Sequence, residues 1–315
     1  MGTQSSTVSR QTEATLADAA NPPAGRTMVR AAPGMYRRAW RRFRRDHVAI
    51  ASLVVILCII AFALAAPLVS NLTGFSYSEN HLSEKLSNPG ENGYILGSDG
   101  NGRDILTRLA YGGRVTLLVA TFATLAELSL GLGFGLISGY YGRWIDTVIM
   151  RAVDVLLSIP SLPLLILVAT LYSPGVILFA VIIGAIYWPA DARLLRGEVL
   201  SLRGREYIEA ARVVGVPSRS IILRHLLPNV TPILLVQASL TVPSVILTEA
   251  ALSFLGLGVQ VPTPSWGNML QEAQRFYRQQ WENVFIPGLM IYISALCLYL
   301  VGIGLRDALD PRLGD

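Results

Sequence analysis

The chain has 315 residues, 52% of them hydrophobic and only 15% charged, with a mean hydropathy of +0.48. That balance excludes a soluble protein folded around one core and places the chain among integral membrane proteins. The net charge of +5 is almost all arginine, since Lys85 is the only lysine, and its placement points to membrane topology rather than to nucleic acid. Cys58 and Cys297 each lie in an apolar segment, without metal-ligand or redox spacing.

Residues 1–33 are rich in Ser, Thr, Ala, Pro and Gly and show little apolar periodicity, which predicts a disordered tail to about residue 35. Six arginines and two aromatics follow between Arg37 and Arg45, directly before the apolar run Val48 to Val69. A signal peptide also begins basic, but this run has about the ~20 residues needed to cross a bilayer, and no small-residue cleavage site is compelling. It reads as an uncleaved first transmembrane helix. Five more spans are expected at roughly Val115–Ser138, Val148–Tyr172, Val176–Ala190, Pro232–Leu255 and Val284–Gly304.

An even number of spans puts both termini on one side, together with 20 of the 26 basic residues. The positive-inside rule makes that side cytoplasmic. The chain thus divides into a cytoplasmic tail (1–35), a basic anchor with the first span and an external loop (36–113), a core (114–305) with a central loop (191–228), and a C-terminal tail (306–315).

The first external loop, Ser70 to Gly113, closes with Leu96-Gly97-Ser98-Asp99-Gly100-Asn101-Gly102-Arg103-Asp104. It has neither the Gly-Lys-Ser/Thr of a phosphate loop nor the carboxylate spacing of an EF-hand. A turn-rich loop entering an interfacial helix, Ile105 to Tyr111, accounts for it better. Inside the second span lies Glu127. A charge near a helix centre costs roughly 2.5–3.5 kcal/mol on insertion scales, so it faces protein or water, or is protonated. It is either a pathway or proton-coupling carboxylate or a buried, hydrogen-bonded acid. Arg151 and Asp154, at i and i+3 beyond the tight turn Gly139 to Asp146, are spaced to pair. Pro160 and Pro163 fall in span three, Pro189 is expected to end span four, and Pro243 lies in span five, where each removes a backbone hydrogen bond. The second external loop, Val259 to Phe285, carries Phe276, Tyr277 and Trp281, ordinary interfacial anchors that could also meet an external partner.

The central stretch, Asp191 to Pro228, holds seven arginines. Arg205 to Val214 reads as a short amphipathic helix with Tyr207, Ala210, Ala211 and Val214 on one face. Gly215 stands at the C′ position, where a left-handed residue is cheap only without a Cβ. Pro217 prevents continuation, and Ser218 can cap a second helix, Arg219 to Leu227, that Pro228 ends. Two short helices about a glycine also describe a DNA-binding helix-turn-helix. A loop tethered to a bilayer on both sides cannot enter a major groove, so a protein-docking element is the better reading, with no nucleic-acid partner.

Glu209-Ala210-Ala211, three residues, Gly215, nine residues, then His225-Leu226-Leu227-Pro228 resembles the EAA loop of bacterial ABC importer membrane subunits, although His225 stands where the general pattern has an aliphatic residue. Arg224-His225-Leu226-Leu227-Pro228-Asn229 is similar to the dipeptide/oligopeptide/nickel branch, in its C-type permease. Arg108 to Arg114, Leu247 to Gly258 and Gly304 to Arg312 resemble the same permeases. The second of these runs includes Glu249, which a structural role near the external end of span five would suit.

The resemblance covers about residues 36–315. It implies an all-α membrane protein with six transmembrane helices and a cytoplasmic coupling loop, a type I ABC importer permease of the bacterial inner membrane. By the same resemblance, Tyr207, Glu209, Ala210, Ala211, Gly215 and Pro217 form the ATPase-coupling element. The implied partners are a homologous B-type permease, one or two cytoplasmic ATPase subunits and an extracytoplasmic binding protein. ATP and Mg would bind those ATPases, and this chain would bind no cofactor or metal and hold no catalytic residue. Di- or oligopeptides are the implied cargo, with nickel chelates and glutathione as alternatives.

Two other classes fit less well. An intramembrane enzyme lacks a Gly-x-Ser-x-Gly or His-Glu-x-x-His motif, and His47, His81 and His225 all fall outside the expected spans. A secondary transporter driven through Glu127 or Glu249 would be supported by an internal repeat, and none is visible.

Overall fold

The computed structural model describes residues 35–172 and 174–309. The expected disordered tail and the end of the C-terminal tail lie outside them. The chain divides into two units between Arg38 and Ala39, and the second holds every membrane-crossing helix. Among the described residues the regular structure is helical, apart from one isolated bridge between Ser98 and Asp104.

Helix α1 (Met35–Phe43) precedes α2 (His47–Leu64), whose N-cap Asp46 accepts from the amides of Val48 and Ala49. The apolar run expected to reach Val69 breaks at Ala65, and α3 (Ala66–Thr73) continues to Gly74. Helix α4 (Ile105–Tyr141) has 37 residues and is about 55 Å long at 1.5 Å per residue. The expected interfacial helix is therefore not separate but forms the first turns of α4. The helix passes through Gly112 and Gly113 because those positions are faced by Trp266: a Cβ on Gly113 would lie 2.9 Å from its ring.

The third expected span is broken. Helices α5 (Arg143–Ser158) and α6 (Ser161–Tyr172) meet at 82°. The cause is Pro160: the residue before a proline is pushed out of the helical region, and Ile159 is extended at φ −92°, ψ 126°. Helix α7 (Val176–Arg203) instead runs straight through Pro189, so the expected end of span four at Ala190 is corrected to Arg203. Packing decides this, since Pro189, Ala192, Leu195 and Val199 are all buried, and one lost backbone bond is outweighed.

Helix α8 (Glu206–Val213) is followed by α9 (Ser218–Phe254), again continuous where Pro228 was expected to end it. A π turn over Ile222–Leu226 precedes Pro228. Such i→i+5 turns re-register a helix locally, which suits a proline with no N–H to donate. Helix α10 (Trp266–Ala273) opens with a capping box between Ser265 and Asn268, and α11 (Glu282–Leu309) closes the described chain. Helices α2, α4, α7, α9 and α11 are long and apolar enough to cross a membrane, and the count reaches six if the bent α5–α6 pair is one span.

The tightest seam joins α4 to α7. Cβ atoms built on Gly131, Gly135 and Gly139 would approach the Cβ atoms of Asp191, Leu195 and Val199 to 2.6, 2.9 and 2.7 Å. From the other side, a Cβ on Gly184 would lie 2.5 Å from the Ala123 carbonyl oxygen. In lipid, where burial from water does not drive helix pairing, small residues at every fourth position let backbones approach and gain dispersion contacts. The spacing Gly131-x3-Gly135-x3-Gly139 is itself legible in the sequence, but only the partner helix gives it meaning.

Candidate functional site

The central loop is held to the arginine-rich end of the helices by its own side chains. Ile208 is fully buried in a cluster with Leu136, Tyr140, Val199, Leu202, Ile221, Leu226 and Val230. Burying an isoleucine contributes about 2 kcal/mol, enough to seat a helix of two turns. Ala211 packs against the same cluster. Periodicity predicts Tyr207, Ala210, Ala211 and Val214 on one face. The structure splits them, because the inward stripe is Ile208 and Ala211, at i and i+3. Tyr207, Glu209 and Ala210 stay exposed, with Val213 and Val214 at 88% and 82%. The outward side of α8 thus presents Tyr207, Ala210, Val213 and Val214, flanked by the charged Glu206 and Glu209, with none of the described residues packed over it.

The end of α8 forms as the sequence predicts. Gly215 has φ +83°, its amide donates to the Arg212 carbonyl (3.0 Å), and the Val216 amide donates to that of Ala211 (3.0 Å). This is the Schellman arrangement, which satisfies two carbonyls that a helix end otherwise leaves unpaired. Pro217 then caps the start of α9 in an extended conformation, so Ser218 is the first residue of that helix rather than its cap.

Several arginines of the loop are tied inward. Arg196 makes a bidentate contact to Asp146, which also accepts from Ser138, and the Arg212 guanidinium sits 5.0 Å from the centre of the Tyr140 ring. Asp154 pairs with Arg193 on α7 at 2.5 Å, not with Arg151 as the i, i+3 spacing suggests. A neighbouring helix brings the stronger partner.

At the opposite end, Glu272 of α10 accepts from Arg103 (2.6 Å) and Arg108 (2.9 Å), while Asp99 binds Arg103 (2.8 Å) and lies 3.5 Å from Arg108. Arg108 is 1% exposed, so its charge depends on both carboxylates. This ion cluster fastens the loop before α4 to helix α10. Beside it, burial and the neighbouring Glu84 raise the Tyr94 hydroxyl, and burial raises the Asp104 carboxyl above its ordinary value. Asp104 caps α4 by accepting from the Thr107 amide. Trp266, fully buried, donates its indole N–H to the Leu109 carbonyl (3.0 Å).

Glu249 and Glu127 have unlike surroundings. Glu249 is fully buried and accepts from Ser253 (2.7 Å) and Thr116 (3.2 Å); Thr116 in turn accepts from the Trp266 amide. It ties α4, α9 and α10 together. Glu127 lies at the α4–α7 seam, with its carboxyl against that of Asp191 and the Gln237 carboxamide beside Asp191. Asp191 escapes a reading of the sequence because Pro189 signals a helix end, which leaves Asp191 in a solvated loop.

Residues 131–315 match the family model described as the binding-protein-dependent transport system inner membrane component, and residues 34–89 match the N-terminal TM domain of oligopeptide transport permease C. The dipeptide transport system permease protein DppC of Alkalihalophilus pseudofirmus is 40% identical over 278 residues, covering 88% of this chain and 90% of that protein.

The chain belongs to this permease family.

The oligopeptide transport system permease protein OppC of Haemophilus influenzae is 41% identical, over 88% of this chain and 89% of that protein. The glutathione transport system permease protein GsiD of Pectobacterium atrosepticum is 38% identical, over 88% and 91%. Among solved structures, an inward-facing form of the MetNI methionine ABC transporter aligns with 63% of this chain and 94% of that chain, at 22% identity and a TM-score of 0.49. The chain is a helical membrane subunit of the C-type branch of this permease family, in agreement with the motifs around Gly215 and Pro228.

Proposed function

We propose that this permease passes di- or oligopeptides across the bacterial inner membrane, with ATP hydrolysed by separate ATPase subunits and peptide delivered by an extracytoplasmic binding protein. The observation that carries the proposal is the outward face of α8. A short helix, seated by Ile208 and stopped by Gly215, presents Tyr207, Glu209, Ala210, Val213 and Val214 with none of the described residues over them. An amphipathic helical face of that size fits a groove on a partner protein.

In this reading Tyr207, Glu209, Ala210, Ala211, Gly215 and Pro217 form the coupling element, and the arginine-rich end, with both termini, is cytoplasmic. ATP and Mg belong to the ATPase subunits, and this chain does no covalent chemistry. A homologous second permease completes the pathway. Closure of the ATPases moves the coupling helices together, and the two permeases rock between inward and outward openings. Glu249 serves as a buried structural acid.

The substrate class rests on relatives named for dipeptide and oligopeptide transport, and the glutathione permease relative keeps a γ-linked tripeptide as the second reading. The test is uptake of a labelled dipeptide by proteoliposomes holding the complete importer, with glutathione as competitor. Uptake that needs ATP and the binding protein supports the proposal. Transport of glutathione alone would move the substrate to the second reading, and uptake without ATP would overturn it.

A further inference from the structure

Between α4, α7 and α9 lies a cavity of about 210 Å³ lined by Glu127, Tyr187, Gln237, Thr241, Ser244 and Thr248, with Leu240 and Val245 as its apolar wall. Of these residues, Ser244 is exposed. None of the lining residues is basic. Behind Glu127 lies Asp191, 2% exposed, whose Oδ2 has no hydrogen-bond partner among the described residues. The hydroxyl of Thr124, one turn before Glu127 on the same helix, is also buried and unpartnered.

Most buried polar atoms find a partner, and leaving one without costs about 1–3 kcal/mol. Here two carboxyl groups meet inside the helix bundle with no arginine or lysine of the described residues to compensate them, in contrast to the ion cluster of Asp99, Arg103, Arg108 and Glu272. The glycine seam explains how they are brought together: Asp191 packs on Gly131, one turn from Glu127, so the two backbones approach too closely for the acids to separate. The arrangement offers acceptors and lacks a cation.

We propose that the Glu127–Asp191 pair, with the hydroxyls and carboxamide around it, is a transient site for the primary ammonium group of a transported peptide. An ammonium group has three N–H donors and no acceptor. On binding, the ammonium group takes the place of the proton that two touching carboxyls share: its donors match the Glu127 carboxylate and the hydroxyls of Thr241, Ser244 or Thr248 that line the cavity, and Asp191, packed against Glu127 outside the lining, adds a second negative charge. The cavity is smaller than the 300–1,000 Å³ typical of sites that enclose a whole ligand, so it takes the amino-terminal end and leaves the rest of the peptide in the pathway. A site with few partners for a mobile ligand holds weakly and releases readily, as transport requires. The assignment to a peptide rests on the proposed function; the ammonium chemistry does not.

The test uses the complete importer without its binding protein, so that only the membrane subunits can select. A Ser244→Cys variant is alkylated with a thiol reagent in the presence of alanyl-alanine, N-acetyl-alanyl-alanine or propylammonium. At about four times the Kd, a ligand in the cavity slows labelling about fivefold, by 1 + [L]/Kd. Alanyl-alanine and propylammonium should protect and the acetylated peptide should not. Adding Glu127→Gln or Asp191→Asn should abolish protection while leaving the ligand-free labelling rate unchanged, which reports that the helices are intact. Equal protection by free and acetylated peptide, protection that survives both substitutions, or no protection at all would overturn the site. Protection without dipeptide uptake would leave the ammonium site standing and remove the peptide as substrate. Uptake without protection would do the reverse.

Discussion

Gly215→Val should uncouple the loop without disturbing any membrane helix. Gly215 is left-handed at φ +83°, and a Cβ there meets no atom within 4 Å, so the penalty is purely conformational. A side chain in that region costs about 1–2 kcal/mol, and a β-branched one is a genuine outlier. Escape from the strained conformation breaks the two capping bonds from Gly215 and Val216, each contributing about 1 kcal/mol. For a β-branched residue the strained form is the costlier of the two, so the variant escapes at a cost of about 2 kcal/mol, as much as the burial of Ile208 contributes to seating the helix.

The last turn of α8 should therefore lose its native arrangement in most molecules, and the face of Tyr207, Ala210 and Val214 should be misaligned. The assay is co-purification of the ATPase subunits with the variant, together with ATP hydrolysis stimulated by loaded binding protein. Both should fall at least about tenfold, the factor for 1.4 kcal/mol, while membrane insertion is unchanged. Gly204→Ala is the control: Gly204, two residues before α8, has φ −84° and equally open space, and its substitution should be silent. Wild-type coupling in Gly215→Val, or equal damage from Gly204→Ala, would refute the reasoning.

At the seam, Gly135→Ala would push a Cβ to 2.9 Å from that of Leu195 and 3.0 Å from the Ala192 carbonyl oxygen, where backbone has to shift. Overpacking of this kind costs about 1–3 kcal/mol, and the thermal midpoint of the purified complex should drop, whereas Gly133→Ala, with nothing within 4 Å, should not change it. Burial raises the Asp104 carboxyl, so the folded protein holds that proton more tightly than the unfolded chain does. The resulting stabilisation is complete below about pH 4 and is lost as pH rises through the raised value. Asp104→Asn keeps an N-cap without titrating, so it should be at least as stable as the wild type at pH 7 and lose that advantage toward pH 4, measured by thermal unfolding. For topology, cysteines at the exposed positions Lys85 and Gln279 should label from outside intact cells and one at Ser201 should not. Reversed labelling would overturn the proposed orientation. Ser87, otherwise an obvious choice in the loop before α4, is buried and unsuitable.

Patterns confined to one stretch of chain are legible in the sequence. Apolar runs locate the long helices, and Gly215 followed by Pro217 marks the end of α8 because a positive φ and a missing donor are local properties. Readings that need a second element fail. Pro189 and Pro228 look like helix ends, but packing against α4 carries one helix through and a π turn the other. Asp154 has an arginine at the right spacing in its own helix and bonds instead to Arg193, brought alongside by the fold. Ile208 is hard to single out because Tyr207, Ala210 and Val214 make an equally good stripe by periodicity, and only the neighbouring helices decide which stripe turns inward. Asp191 is hidden by the misleading proline before it.

The glycine seam also limits which parts of the molecule can slide. With Gly131, Gly135, Gly139 and Gly184 in contact with opposing backbone and Cβ atoms, α4 and α7 cannot shift along each other without collision, and they behave as a single plank. Helix α7 touches α9 only lightly, and the cavity holding Glu127 and Gln237 lies along that looser boundary. The acids at the plank's edge thus lie beside a lightly packed joint, where a small displacement of α9 from α7 would change their exposure.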